Sequence, residues 1–349
     1  MTFVYNATCV RALAFAATLS AISVFGTAAQ AADELNIYSY REPGLINPLI
    51  EQFTKETGIK VNTVFAKDGL IERMQAEGKI SPADVLLTNE SGLLFKAEAD
   101  GVTQPLKSEI LEKSIPAALR DSAGHWFALT RRARVVYASN ERVKQTAITY
   151  EELAEPKWKG KICTRSGQHT YNIALIASMI AHHGEEKAEA WLTGVRDNLA
   201  RKPAGGDREG VRDVQAGLCD IAIGNTYYMG AMLKNPEQKA WAEAVHIIFP
   251  NNADRGAHVN ASGMALAASA PHREVAVKFM EWLAEPEAQQ IYAAANSEYP
   301  VVPGVEPTDL IKSWGPLNPD PIPLEKLAEL RKKASELVDK VRFDQGPSS

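Results

Sequence analysis

Three tyrosines on two well-separated turns are the residues best suited to do chemistry in this chain. Gly167-Gln168-His169-Thr170-Tyr171 carries one, and Gly224-Asn225-Thr226-Tyr227-Tyr228 carries the other two. A phenol has an ordinary pKa near 10 and stays protonated at neutral pH unless a bound cation displaces the proton. Hard cations prefer oxygen donors, whereas thiolates select softer metals. Three phenolates would also balance the charge of Fe(III). Each tyrosine alone also reads as a packed side chain with a satisfied hydroxyl.

Other groups could complete such a site. Ser166-Gly167 precedes a predicted helix start, where free amides and the positive end of the dipole suit an anion. Arg41 ends the first predicted strand, and Arg132 lies in a long β-branched and aromatic stretch; both could face the same cleft. Guanidinium groups suit bidentate carbonate, phosphate or carboxylate contacts. The alternative is that both arginines pair with acidic neighbours. His182-His183 looks like a metal pair, but adjacent helical residues point apart, and a solvated helix end is expected. Gly205-Gly206-Asp207 reads as a turn and helix cap. Asn225 and Thr226 are suitable capping residues for a bend before the tyrosine pair. Neither H-E-x-x-H nor G-x-S-x-G occurs, so the expectation is a binding protein and not an enzyme.

The first 31 residues have the pattern of a cleaved leader. Arg11 supplies the positive charge, residues 12–25 are apolar, and Ala29-Gln30-Ala31 is a small-residue cleavage signal. Export is therefore expected, with cleavage after Ala31. Residues 32–349 suffice for two domains of ordinary size. A formal net charge of −5 with mixed signs argues against a nucleic-acid partner. Cys9 leaves with the leader, so Cys163 and Cys219 remain. Two cysteines in an exported chain usually pair, the alternative being two buried thiols. A bridge would be worth about 4 kcal/mol in the chain-entropy model and would tie the two tyrosine turns together.

These turns need a scaffold. Residues 35–40 alternate like a strand, 45–57 form an amphipathic helix ended by Gly58, and 59–65 alternate again. A short helix at 69–77 and a buried strand at 83–87 complete an α/β unit with a largely parallel sheet. Residues 126–139 and 260–267 read as two strands crossing between lobes. Strands are expected at 161–165 and 219–224, and helices at 171–183, 185–199, 207–216, 271–284, 286–295 and 324–341. Two lobes joined by two crossings make a hinged clamp, with the ligand in the cleft between them.

With these residues in place the chain resembles the bacterial periplasmic ferric-ion-binding proteins, the substrate-binding components of iron(III) ABC importers. The likeness covers essentially the whole mature chain. It is carried by 36–41 (NIYSYR), 81–88 (SPADVLLT), 132–137 (RARVVY), 163–171, 200–203 (ARKP) and most specifically 224–228 (GNTYY). The resemblance implies an α/β type II periplasmic-binding-protein fold. One lobe would take residues 32–132 and 258–300, and the other 133–257 and 301–349. It implies that Tyr171, Tyr227 and Tyr228 are ligands to Fe(III), and that a monomeric receptor in the periplasm delivers the ion to an inner-membrane ABC permease. Many members add a His after the first strand, where this chain has Tyr40-Arg41-Glu42-Pro43. The likeness is therefore to the subgroup completed by a synergistic anion, carbonate, held by Arg41, Arg132, Ser166 and Gly167. Tyr40 or Glu42 stays open as a further ligand. The rival reading is a receptor of the same fold for a polyamine, phosphonate or thiosulfate.

Overall fold

The structure, a computed structural model, describes residues 1–2 and 34–347. The leader expected over residues 1–31 and its cleavage point fall, apart from the first two residues, outside them.

Hydrophobic alternation builds the first sheet half. Strand β1 (Glu34–Ser39) leads into α1 (Pro43–Thr57), β2 (Lys60–Phe65), α2 (Leu70–Glu77), β3 (Val85–Thr88), α3 (Ser91–Ala99) and α4 (Glu109–Ser114). Helix α1 buries Ile46, Leu49 and Phe53, and Gly58 ends it with φ 73°, its N–H donating to the Thr54 carbonyl. That is the stop expected from the sequence. Both β2 and β3 run parallel to β1.

Strand β4 (Phe127–Ser139) is the longest element of the sheet and is buried along almost its whole length. Its N-terminal half pairs antiparallel with β8 (Val259–Leu266), which also pairs with β3. Its C-terminal half pairs antiparallel with β6 (Ile221–Asn225) and β7 (Val245–Ile248). The expected crossings at 126–139 and 260–267 are thus present. They make the sheet mixed, because both meet their neighbours antiparallel. A short β9 (Tyr299–Pro300) also pairs with β4, beside the crossing.

The remaining elements are β5 (Ile162–Cys163), α5 (Thr170–His183), α6 (Glu185–Asp197), α7 (Asp207–Gln215), α8 (Tyr227–Lys234), α9 (Lys239–Glu243), α10 (Arg273–Leu283), α11 (Pro286–Asn296), α12 (Asp309–Ser313) and α13 (Leu324–Lys340). Helix α5 is apolar nearly all round and sinks into the core, as such a pattern requires. Helix α13 packs along α5 and also touches α3.

Candidate metal centre

The two tyrosine turns meet because the strands before them pair. Strand β5 lies parallel to β6, Ile162 beside Ile221 and Cys163 beside Ala222. Parallel neighbours end at the same edge of a sheet, so the turns that follow emerge side by side. The Cys163–Cys219 disulfide is formed, with Cα atoms 5.9 Å apart, and fixes this juxtaposition covalently.

Each turn then starts a helix. Tyr171 is the second residue of α5, and the His169 Nδ1 accepts its backbone N–H at 3.2 Å. Tyr227 and Tyr228 open α8, with ring centroids 4.3 Å apart. The Tyr227 hydroxyl donates to the Tyr171 oxygen at 3.1 Å. Neighbouring oxygens on one small octahedral cation sit about 3 Å apart, given bonds of about 2 Å. All three phenols line one cleft of about 440 Å³, together with Tyr40, Glu42 and His169.

Behind the phenols lies a buried ionic shell. Arg41 pairs with Glu298 at 2.8 Å and donates to Asn296. Arg132 approaches the same carboxylate at 3.2 Å, donates to the Asn89 carbonyl and lies 5.9 Å from the Tyr227 ring centre. The Thr130 hydroxyl also donates to Glu298, at 2.6 Å. On the other side, Arg134 and Arg165 share the buried Asp207, and Arg165 lies 5.3 Å from the Tyr171 ring centre. Four guanidinium groups therefore face two carboxylates. The Nε and Nη1 groups of Arg132 are buried without a hydrogen-bond partner. The shell holds surplus positive charge and unused donors, a setting that favours phenolate or a small anion.

Burial, then the neighbouring phenols Tyr171 and Tyr228, raise the Tyr227 pKa well above its ordinary value. Burial, then Asp207, raise that of Tyr228. Without a bound cation both side chains stay protonated, and the positive helix starts beside them do not outweigh that burial. Burial, then Arg165, lower the His169 pKa to about 3, leaving a neutral ring whose Nδ1 is already engaged. Burial works against charge at Asp207 and Glu298, but their arginine partners outweigh it and hold both pKa values down.

Several sequence expectations need correction. The Ser166-Gly167 turn does bind an anion, but it is the chain's own Asp344. One Asp344 oxygen accepts from Ser166 Oγ at 2.5 Å and the other from the Gly167 N–H at 2.6 Å. A Cβ on Gly167 would meet Phe343 at 2.7 Å, so the turn is packed shut. Arg41 lines the cleft with its guanidinium engaged by Glu298, and Arg132 reaches the same carboxylate through Nη2 alone. The Tyr40 hydroxyl accepts the Ile71 N–H at 3.0 Å, and Glu42 is exposed before α1. Neither Asn225 nor Thr226 caps α8 through its side chain. The Asn225 amide oxygen accepts from Arg134 instead. His182 and His183 do point apart, yet each reaches a carboxylate, Asp320 at 2.7 Å and Glu151 at 2.6 Å.

Sequence reasoning missed His169, Asp207 and Glu298 as parts of the site. His169 stood inside the quoted turn, but nothing in its spacing marked it as a cap. Asp207 and Glu298 act through arginine partners 42 or more residues away in the chain, and no local pattern shows that.

A family model described as bacterial extracellular solute-binding protein matches residues 81–313. The chain belongs to that family. This solute-binding protein is 45% identical over 310 residues to Iron uptake protein A1 of Synechocystis sp., covering 88% of this chain and 86% of that one. Among solved structures it is similar to ferric iron-binding protein A of Mannheimia haemolytica in an open conformation. There the TM-score is 0.85 and the identity 48%, over 90% of this chain and 99% of the other. A Trichodesmium protein (IdiA, FutA) in complex with iron and citrate ligands matches with a TM-score of 0.85 and 42% identity, over 89% and 99%. These likenesses establish the type II periplasmic-binding fold, two α/β lobes with a cleft between them.

Proposed function

We propose that this solute-binding protein is a periplasmic receptor for Fe(III) that hands the ion to an ABC importer. The observation that carries the reading is the convergence of Tyr171, Tyr227 and Tyr228 on one cleft, with two of their oxygens already 3.1 Å apart. Ferric ion is the cargo, and the phenols are its protein ligands. Each phenol gives up its proton as the ion arrives, because the cation reverses the cost of a buried negative charge. The similarity to proteins named for iron uptake and ferric iron binding supports the same cargo. Binding followed by release to a permease involves no bond-breaking on a substrate, and the chain acts as a transport component. We assign 32–132 with 258–300 to one lobe and 133–257 with 301–349 to the other, and take the working form as a monomer.

The surplus guanidinium charge calls for an anion beside the metal, and we assign carbonate to that role. Arg132 is the favoured holder, because it alone keeps two buried unpaired N–H groups in the shell. The relative bound to iron and citrate makes citrate the competitor to test. Equilibrium dialysis of chelator-stripped protein against ferric ion, with bicarbonate or citrate as the sole anion, decides between them. Uptake that needs bicarbonate supports carbonate. Uptake that proceeds with citrate alone overturns that assignment but leaves the tyrosine site standing. Failure to retain iron with either anion contradicts the receptor itself.

A further inference from the structure

The C-terminal helix holds the Tyr171 turn from behind and, through one side chain, ties it across the cleft. Residues 331–344 contact that turn at four places. Asp344 accepts from the Ser166 hydroxyl and the Gly167 N–H. The Gln168 side chain donates to the Ser335 carbonyl and to Asp339, and accepts from the Ser335 hydroxyl. Arg331 donates to Thr170 Oγ1 at 2.6 Å, one residue before Tyr171.

Arg331 also reaches the opposite wall. Its Nη1 meets Glu90 Oε2 at 3.1 Å, and the same Glu90 oxygen caps α3 by accepting the Gly92 N–H at 2.9 Å. Glu90 is almost fully buried, and Gly92 gives Arg331 its seat: a Cβ there would stand 2.7 Å from the guanidinium. Arg331, Glu90 and Thr170 lie together at one end of the cleft, in a compartment of about 360 Å³ that shares Tyr171 and His169 with the main one. At the other end Lys234, on the helix that carries Tyr227 and Tyr228, donates to the Ala294 carbonyl at 3.0 Å. That carbonyl belongs to the last turn of α11, where a cation is favoured.

We propose that Arg331 is a positioning residue: with Glu90 it forms a charged tie that holds the Tyr171 turn against the facing lobe and slows loss of the bound ion. The proposal rests on the iron-receptor reading for its cargo, but not for its mechanics. A half-buried pair with a nearly fully buried carboxylate is screened less by solvent than the exposed Lys234 contact, so the Arg331 end is the stronger tie.

The test is a double-mutant cycle in the full chain with Arg331→Gln, Glu90→Gln and the pair. Glu90→Gln keeps an oxygen for the α3 cap. Iron release to a competing chelator is followed alongside small-angle scattering of the metal-free protein. Each single change is expected to speed release at least threefold and to enlarge the metal-free radius of gyration, and the double mutant should match the singles within twofold. An unchanged melting temperature would separate this from simple loss of stability. Additive effects, or no change in release and scattering, overturn the tie. If wild-type protein takes up no iron the receptor reading fails, while the metal-free scattering still decides the tie.

Discussion

At the scale of single residues, the raised pKa values of the phenols bear on how iron capture should behave. Tyr227 and Tyr228 are both held protonated by burial. Capture therefore releases at least two protons, and protons compete with the metal. Conditional affinity should fall by at least about 100-fold per unit of acidification, measured against a chelator whose own proton uptake is corrected for. A slope near zero would mean the phenols are not ligands. Removing one ligand should cost more than removing an outer partner, which is typically worth 10–100-fold. Tyr228→Phe is expected to weaken iron binding by more than about 100-fold in equilibrium dialysis. The carboxylates behind the phenols matter for stability. Asp207→Asn leaves the buried Arg134 and the partly buried Arg165 without their counter-charge, and urea unfolding should report a loss of about 3–5 kcal/mol.

At the scale of elements, the site depends on how the two turns are braced. The Cys163–Cys219 bridge closes a loop with a sequence separation of 56, so reduction should remove about 4 kcal/mol from unfolding stability. Gly167→Ala should cost about 1–3 kcal/mol by forcing a methyl against Phe343 and Val338. The bracing also shows what the sequence reveals and what it conceals. Periodicity and Gly stops located β1, α1, β4, α5 and α13 to within two residues, because burial of a helical or strand face writes itself into local spacing. The meeting of the two tyrosine turns and the disulfide beside them were legible because each cysteine stands a few residues before one of those turns. The anion turn was misjudged because Asp344 lies 177 residues beyond Gly167, and nothing local says that a remote carboxylate fills a free amide. The strand β7 and helix α12 were missed because they are short and gain their place from neighbours rather than from propensity.

At the scale of the whole molecule, charge couples fold stability to pH. Burial opposes ionisation of Glu151, but hydrogen bonds from Asn251, Arg255 and His183 outweigh it and lower the pKa to about 2. A carboxylate depressed in the folded state contributes stability that is complete above its unfolded value and is lost as pH falls through the folded one. The melting temperature of the metal-free protein should therefore decline between about pH 4.5 and pH 2. Glu151→Gln should flatten that part of the curve, and an identical profile in the variant would remove Glu151 from the cause. Two lobes enclose one cleft, and the phenols that line it offer a chemical reporter. The most direct test of the tyrosine site is an absorbance titration of chelator-stripped protein with ferric citrate, with and without bicarbonate. A blue-green-absorbing charge-transfer band that saturates at one equivalent and is lost in Tyr228→Phe is the predicted result. Absence of any such band in protein that stays folded and monodisperse would contradict the tyrosine site.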